Sequence, residues 1–94
     1  MPLNFTRVAG KNKGQVLLYA LSTCGWCRKT KGLLDDLGVE YDFIDVDILT
    51  GAERETAVEE IKRWNPQCSF PTLVINNDSC ILGFDEEKIR RILK

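Results

Sequence analysis

The 94-residue chain has no histidine. Imidazole is thereby removed both as a metal ligand and as a proton carrier near neutral pH. A surplus of one charge is missing as well: thirteen lysines and arginines stand against fourteen aspartates and glutamates. A nucleic-acid footprint needs basic side chains gathered on one face, so no nucleic-acid partner is expected. Long apolar runs are also lacking. The longest, Val16 to Leu21, falls far short of the roughly 20 residues a membrane helix needs, so no membrane partner is expected. The first residues show no charged-then-apolar stretch with a small-residue cleavage site, and a cytoplasmic protein is expected. In that reducing compartment a lasting structural disulfide is disfavoured. The four cysteines, Cys24, Cys27, Cys68 and Cys80, therefore stand as candidates for catalysis or metal binding.

What is present is an ordinary globular composition, 44% hydrophobic and 29% charged, in a length that suits one domain over residues 1–94. Residues 1–14 are polar and read as an N-terminal extension, in which Phe5 to Val8 either adds a short strand or lies loose. VLLYA at 16–20 is a buried-strand run. A helix is expected over Gly25 to Leu37, with Cys27, Thr30, Leu33, Leu34 and Leu37 on one face and Gly38 ending it. Val39 to Val46 alternates like a strand. Thr50-Gly-Ala-Glu53 has the form of a capping box, starting a helix whose inner face is Ala57, Val58, Ile61 and Trp64 and which Pro66 stops. Thr72 to Ile75 and Cys80 to Gly83 read as a hairpin around Asn76-Asn77-Asp78. Asp85 caps a last helix with Ile89, Ile92 and Leu93 inward. The order is β-α-β-α-β-β-α, an α/β fold with a central mixed four-stranded sheet and the possible extra N-terminal strand.

The charges on the first helix run against its dipole. The last helix begins with Asp85, Glu86 and Glu87 and ends with Arg90, Arg91 and Lys94, which complements the dipole. The first begins with Arg28, Lys29 and Lys31 and ends with Asp35 and Asp36. Such local violations are expected where function competes with stability. Cys24, at the helix start, is the anion such an arrangement would serve, because free backbone N–H groups and nearby cations favour a thiolate. Arg28 and Lys29 are the candidates to stabilise it, weighed evenly against simply pointing into water. Lys31 is expected to point into water.

Three readings of the cysteines compete. In CGWC, Cys24 lies outermost and Cys27 one turn in, facing the core. That asymmetry suits disulfide exchange, in which an exposed thiolate attacks and an inner thiol resolves. A zinc site is disfavoured, because Cys68 and Cys80 have no pair spacing. A [2Fe–2S] cluster shared between two chains remains an alternative, needing one exposed thiolate from each. Burial as small hydrophobes suits Cys80, in a strand, and is favoured for Cys68, in a loop.

CGWC at 24–27, FPT at 70–72 and GFDEEKI at 83–89, in the order strand–CxxC–helix and loop–Pro–strand, resemble the thioredoxin fold and, within it, the glutaredoxin family over Val16 to Lys94. The resemblance implies a thiol–disulfide oxidoreductase in which Cys24 is the nucleophile and Cys27 resolves. It implies a cis Pro71 packed against the CxxC and a Phe70 that offers its main chain to a substrate or to glutathione. Gly83, Phe84, Asp85 and Glu86 would line the far side, where the last helix start can receive a carboxylate. Trp26 reads either as a contact to partners or as a rim over the disulfide. No tightly bound cofactor or metal is implied, but glutathione is a possible co-substrate. Partners implied are disulfide-containing proteins and, as electron donor, glutathione or a flavin thioredoxin-type reductase, acting on a monomer. Two positions depart from the glutathione-using pattern: Leu21 replaces a lysine three residues before the first cysteine, and Gly83-Phe84 replaces two glycines. GFDEEKI instead resembles redoxins fed by a flavin reductase. CGWC and Leu18 replace the CGPC and buried aspartate of thioredoxin proper.

Overall fold

A computed structural model describes residues 3–93. The chain runs β1 (Thr6–Val8), β2 (Val16–Ala20), α1 (Gly25–Leu37), β3 (Tyr41–Asp45), a 3-10 turn (Val46–Ile48), α2 (Gly51–Trp64), β4 (Thr72–Ile75), β5 (Ser79–Leu82) and α3 (Glu86–Leu93). The five strands form one sheet in the order β1-β3-β2-β4-β5. β2 and β3 are parallel, as a helical crossover requires, and the other pairs are antiparallel.

The N-terminal extension is thus part of the sheet. Thr6, Arg7 and Val8 pair with Phe43, Asp42 and Tyr41, and the Arg7 guanidinium reaches the Asp42 carboxylate across the pair at 2.9 Å. The following segment is held by main chain. The Lys11 amide donates to Gly38 O at 2.8 Å, and Lys11 O accepts from the Glu40 amide at 2.9 Å. Gly10 passes so close to this turn that a Cβ there would lie 2.6 Å from the carbonyl carbon of Val39.

Every second residue of a strand faces the same side, and the two faces of the sheet bury separate clusters. Leu18, Ala20, Leu73, Ile75 and Ile81 pack with α1 and α3 through Cys27, Leu34, Ile89 and Leu93. Tyr19, Ile44 and Val74 pack with α2 through Ala57 and Ile61. Trp64 and Val58 border that second cluster, half-buried. The three-residue hairpin turn at 76–78 carries Asn76 and Asn77, both at positive φ, a conformation that asparagine tolerates better than most residues.

Three local expectations are corrected. Thr50 makes no capping hydrogen bond, because Gly51 enters α2 at φ +58° and the box geometry is lost. Ile92 is 41% exposed. On this short helix the buried stripe is set by Ile89 and Leu93, four residues apart, and Ile92 falls outside it. Lys31 does not point into water: its Nζ lies 3.3 Å from Asp45 Oδ1 and 4.0 Å from the Phe43 ring centre.

Candidate active site

β2 ends at Ala20 and delivers the chain to the start of α1. Cys24 is the N-cap residue, in extended conformation, and its Sγ accepts the Cys27 amide at 3.2 Å. One of the helix's four otherwise unpaired N–H groups is thereby turned onto a sulfur. The approach to the cap is pinned by Asp47, whose carboxylate accepts from the amide and hydroxyl of Ser22. Those bonds hold the Asp47 carboxyl below the usual range.

The two thiols are unequal. Cys24 is half-buried, and Cys27 is 1% exposed, behind it in the core. Burial, and after it the hydrogen bond to Cys24, pushes the Cys27 thiol up to about 12. The dithiol therefore holds a proton on its inner sulfur at neutral pH, while the outer one is approached by a backbone N–H and by solvent.

Beside the thiols lies a cleft of about 220 Å³ lined by Trp26, Phe70, Pro71, Gly83 and Phe84. All five are among the residues singled out from the sequence, and they come from three separate stretches. The Phe70–Pro71 bond is cis, as expected. Pro71 O accepts the Gly83 amide at 2.8 Å, tying two walls together. The Trp26 and Phe84 rings stack at 5.9 Å between centres, and Trp26 keeps 57% of its surface exposed. Asp85 does not line the cleft. It caps α3, with Oδ1 accepting the Lys88 amide at 3.1 Å, so this N–H already has an acceptor. Glu86 is paired with Arg90. Lys29 lies over the Trp26 ring at 4.6 Å, and Arg28 is exposed.

The loop carrying Phe70 and Pro71 depends on a residue that the sequence reading passed over. Asn65 is 2% exposed. Its Nδ2 donates to Ser69 Oγ at 2.7 Å, Ser69 O at 3.2 Å and Thr72 Oγ1 at 3.3 Å, and its Oδ1 accepts the Gln67 amide at 3.2 Å. Thr72 closes the set by donating to Ser69 O at 2.8 Å. A polar residue at a helix end, just before proline, was the available signal. The two remaining cysteines stand on the opposite face of the sheet from Cys27. Cys80 and Cys68 both border the α2 cluster, half-buried, Cys80 Sγ lying 3.8 Å from Trp64 O and Cys68 at φ +52°. No three Cys, Asp or Glu side chains among the described residues converge as metal ligands.

The Glutaredoxin family model matches residues 16–80. A glutaredoxin structure from Methanosarcina mazei is 53% identical, covers 95% of this chain and 86% of its own, and superposes with a TM-score of 0.89. The methanoredoxin of Methanosarcina acetivorans is 45% identical over 89% of this chain and 88% of its own, with a TM-score of 0.87. Among curated proteins, glutaredoxin 1 of Rickettsia felis is 34% identical over 84% of this chain and 78% of its own length.

Proposed function

The chain belongs to the glutaredoxin family of dithiol oxidoreductases, and from that premise we propose that it reduces protein or small-molecule disulfides with Cys24 attacking and Cys27 resolving. The observation that carries the assignment of roles is the asymmetry at the α1 cap: an accessible sulfur receiving the Cys27 amide, with a buried protonated thiol behind it.

In the first step the Cys24 thiolate attacks one sulfur of the substrate disulfide. A mixed disulfide forms, and the first substrate thiolate departs and takes a proton from water. In the second step Cys27 gives up its proton, to water or to the departing group, and attacks Cys24 Sγ. The Cys24–Cys27 bond forms as the bond to substrate breaks. The substrate gains two electrons and the protein loses two. The apolar cleft holds the substrate chain, with Trp26 and Phe84 as its aromatic wall, Phe70 presenting main chain and Pro71 excluding water beside the sulfur. Arg28 and Lys29 add positive charge around the helix start. Asp85 caps α3 just beyond Phe84 rather than touching the substrate.

Returning the disulfide to the dithiol needs a donor, either glutathione or a flavin thioredoxin-type reductase. Leu21, half-buried in the α2 cluster, gives a glutathione carboxylate no cation at that position, which favours the reductase. The role is that of a monomeric cytoplasmic redoxin maintaining cellular thiols.

The test equilibrates reduced protein in graded glutathione buffers, quenches with an alkylating agent and maps the peptides by mass. Cys24 and Cys27 passing together into one disulfide at a defined potential supports the reading. A stable Cys24–glutathione adduct assigns glutathione as the working partner. Thiols that stay alkylatable across the range refute the exchange mechanism, and a coloured protein from anaerobic expression supports the cluster-carrier alternative.

A further inference from the structure

Cys27 must become a thiolate to resolve the mixed disulfide, yet it is 1% exposed in an apolar cluster. Isolated burial of a charge is costly, and there is no imidazole to take the proton. Something nearby must favour the anion. The side chains packed on Cys27 offer little: β2, β4, β5 and α3 present aliphatic groups, Ile89 and Leu93 among them, and besides the main-chain hydrogen bond at Leu21 the anion needs a charge. β3 presents Tyr41, whose hydroxyl lies 3.3 Å from Asp35 and is kept neutral, pushed up to about 12 by burial. On α1 the titratable neighbours are Cys24 and Lys31.

Lys31 lies four residues beyond Cys27, one turn along the same side of the helix. It is the basic residue the dipole argument dismissed, and it is the one the fold holds in place. Its Nζ is 3.3 Å from Asp45 Oδ1, with the two side chains only 24% and 16% exposed, and it rests 4.0 Å over the Phe43 ring. A cation fixed in such partly desolvated surroundings acts over a longer range than one in water.

We propose that Lys31, anchored by Asp45 and Phe43, is a positioning residue for the resolving step, supplying the positive charge that steadies the Cys27 thiolate as it forms. It remains an ammonium throughout. The proton lost by Cys27 leaves with water or the departing thiol, and the bond changes are those given above. Its charge is a downward influence on the Cys27 thiol, added to that of the Leu21 main chain and opposing burial. The inference rests on the dithiol reading of Cys24 and Cys27.

The test uses an aromatic disulfide, 5,5′-dithiobis(2-nitrobenzoate), followed by stopped-flow absorbance from pH 6 to 10. The first thionitrobenzoate is released by Cys24, at a rate proportional to reagent concentration. The second is released by Cys27 in an intramolecular phase independent of concentration. K31M keeps the hydrocarbon stem over Phe43 and removes the charge, and K31R keeps the charge. Across pH 6–10, below the titration of the Cys27 thiol at about 12, the K31M second phase is expected to run below the parent's, with a roughly threefold smaller thiolate fraction. The more basic sulfur is also the better nucleophile, so the net slowing is roughly twofold. K31R should overlay the parent, and the first phase should be unchanged in both. The inference is overturned if the K31M second phase overlays the parent, if K31R moves as far as K31M, or if the first phase shifts equally. If the parent itself shows no second phase, it is the dithiol reading that has failed. K31R keeps the ion pair and Asp45 retains contact with water in K31M, so both variants are expected to fold, which circular dichroism checks.

Discussion

Replacing Asn65 by Ala tests how the cleft is held. Nothing about Asn65 touches the thiols, yet its side chain spans the turn that presents Phe70 and Pro71. The substitution removes donors to Ser69 Oγ, Ser69 O and Thr72 Oγ1 and the acceptor of the Gln67 amide. The three donated contacts share one amide nitrogen and are not three full bonds. Thr72 Oγ1 still serves Ser69 O, so that carbonyl is not orphaned. With each net hydrogen bond contributing about 0.5–1.5 kcal/mol, and a small cavity left at a buried site, the loss is about 2–3 kcal/mol. A domain of this size then melts roughly 10–20 °C lower, while staying folded at 25 °C. Thermal unfolding by circular dichroism reads that shift. A second measurement separates loop from thiol. Alkylation of Cys24 by iodoacetamide should keep its rate, because α1 is untouched, while reduction of a peptide disulfide falls by roughly tenfold as Phe70 and Pro71 lose their fixed position. A melting change under about 4 °C together with unaltered disulfide reduction refutes the argument.

Two further outcomes follow from other parts of the fold. Gly10→Ala places a Cβ 2.6–2.8 Å from three backbone atoms of residues 38–40, none of which can rotate away, so urea unfolding should show a loss of about 1–3 kcal/mol; an unchanged midpoint shows that the N-terminal segment is not docked as described. Cys27 and Tyr41, both pushed up to about 12, and Tyr19, raised by burial beside Glu60, hold protons in the folded state that the unfolded chain releases earlier. Their contribution is intact below about pH 9 and is lost as pH rises from there towards 12. The reduced protein should therefore lose stability across that window more steeply than the oxidised one, in which Cys27 cannot titrate. Parallel urea midpoints for the two redox forms between pH 9 and 11 count against this.

Where one residue decides a local structure, the sequence was a good guide. Gly38 in the left-handed conformation ends α1 where expected, and the alternation and turn chemistry around Asn76-Asn77 produce the hairpin with bounds shifted by one residue. The cleft walls were legible through the family resemblance: CGWC, FPT and GFDEEKI carry Trp26, Phe70, Pro71, Gly83 and Phe84, which the fold brings together. What escaped depends on partners distant in the chain. Thr6 to Val8 has almost no strand pattern of its own, and its pairing comes from the free edge of β3. Asn65 draws no notice beside the Pro66 that stops α2, and only the folded loop shows three acceptors converging on one amide. Lys31 reads as a surface charge until β3 brings Asp45 and Phe43 beneath it.

The antiparallel pairing of β2 with β4 has a consequence for biosynthesis. Val16 lies opposite Ile75 and Tyr19 opposite Thr72, so the register closes over more than fifty intervening residues. The paired sulfurs at positions 24 and 27 are synthesised before two walls of the cleft, at 70–71 and 83–84. A ribosome-bound chain thus carries the thiol pair before the cleft exists, and the cleft forms only when residues 70–84 have emerged and β4 slots beside β2. The same separation makes the cleft a reporter of global folding: no fragment ending before β5 can carry it, whatever the state of its cysteines.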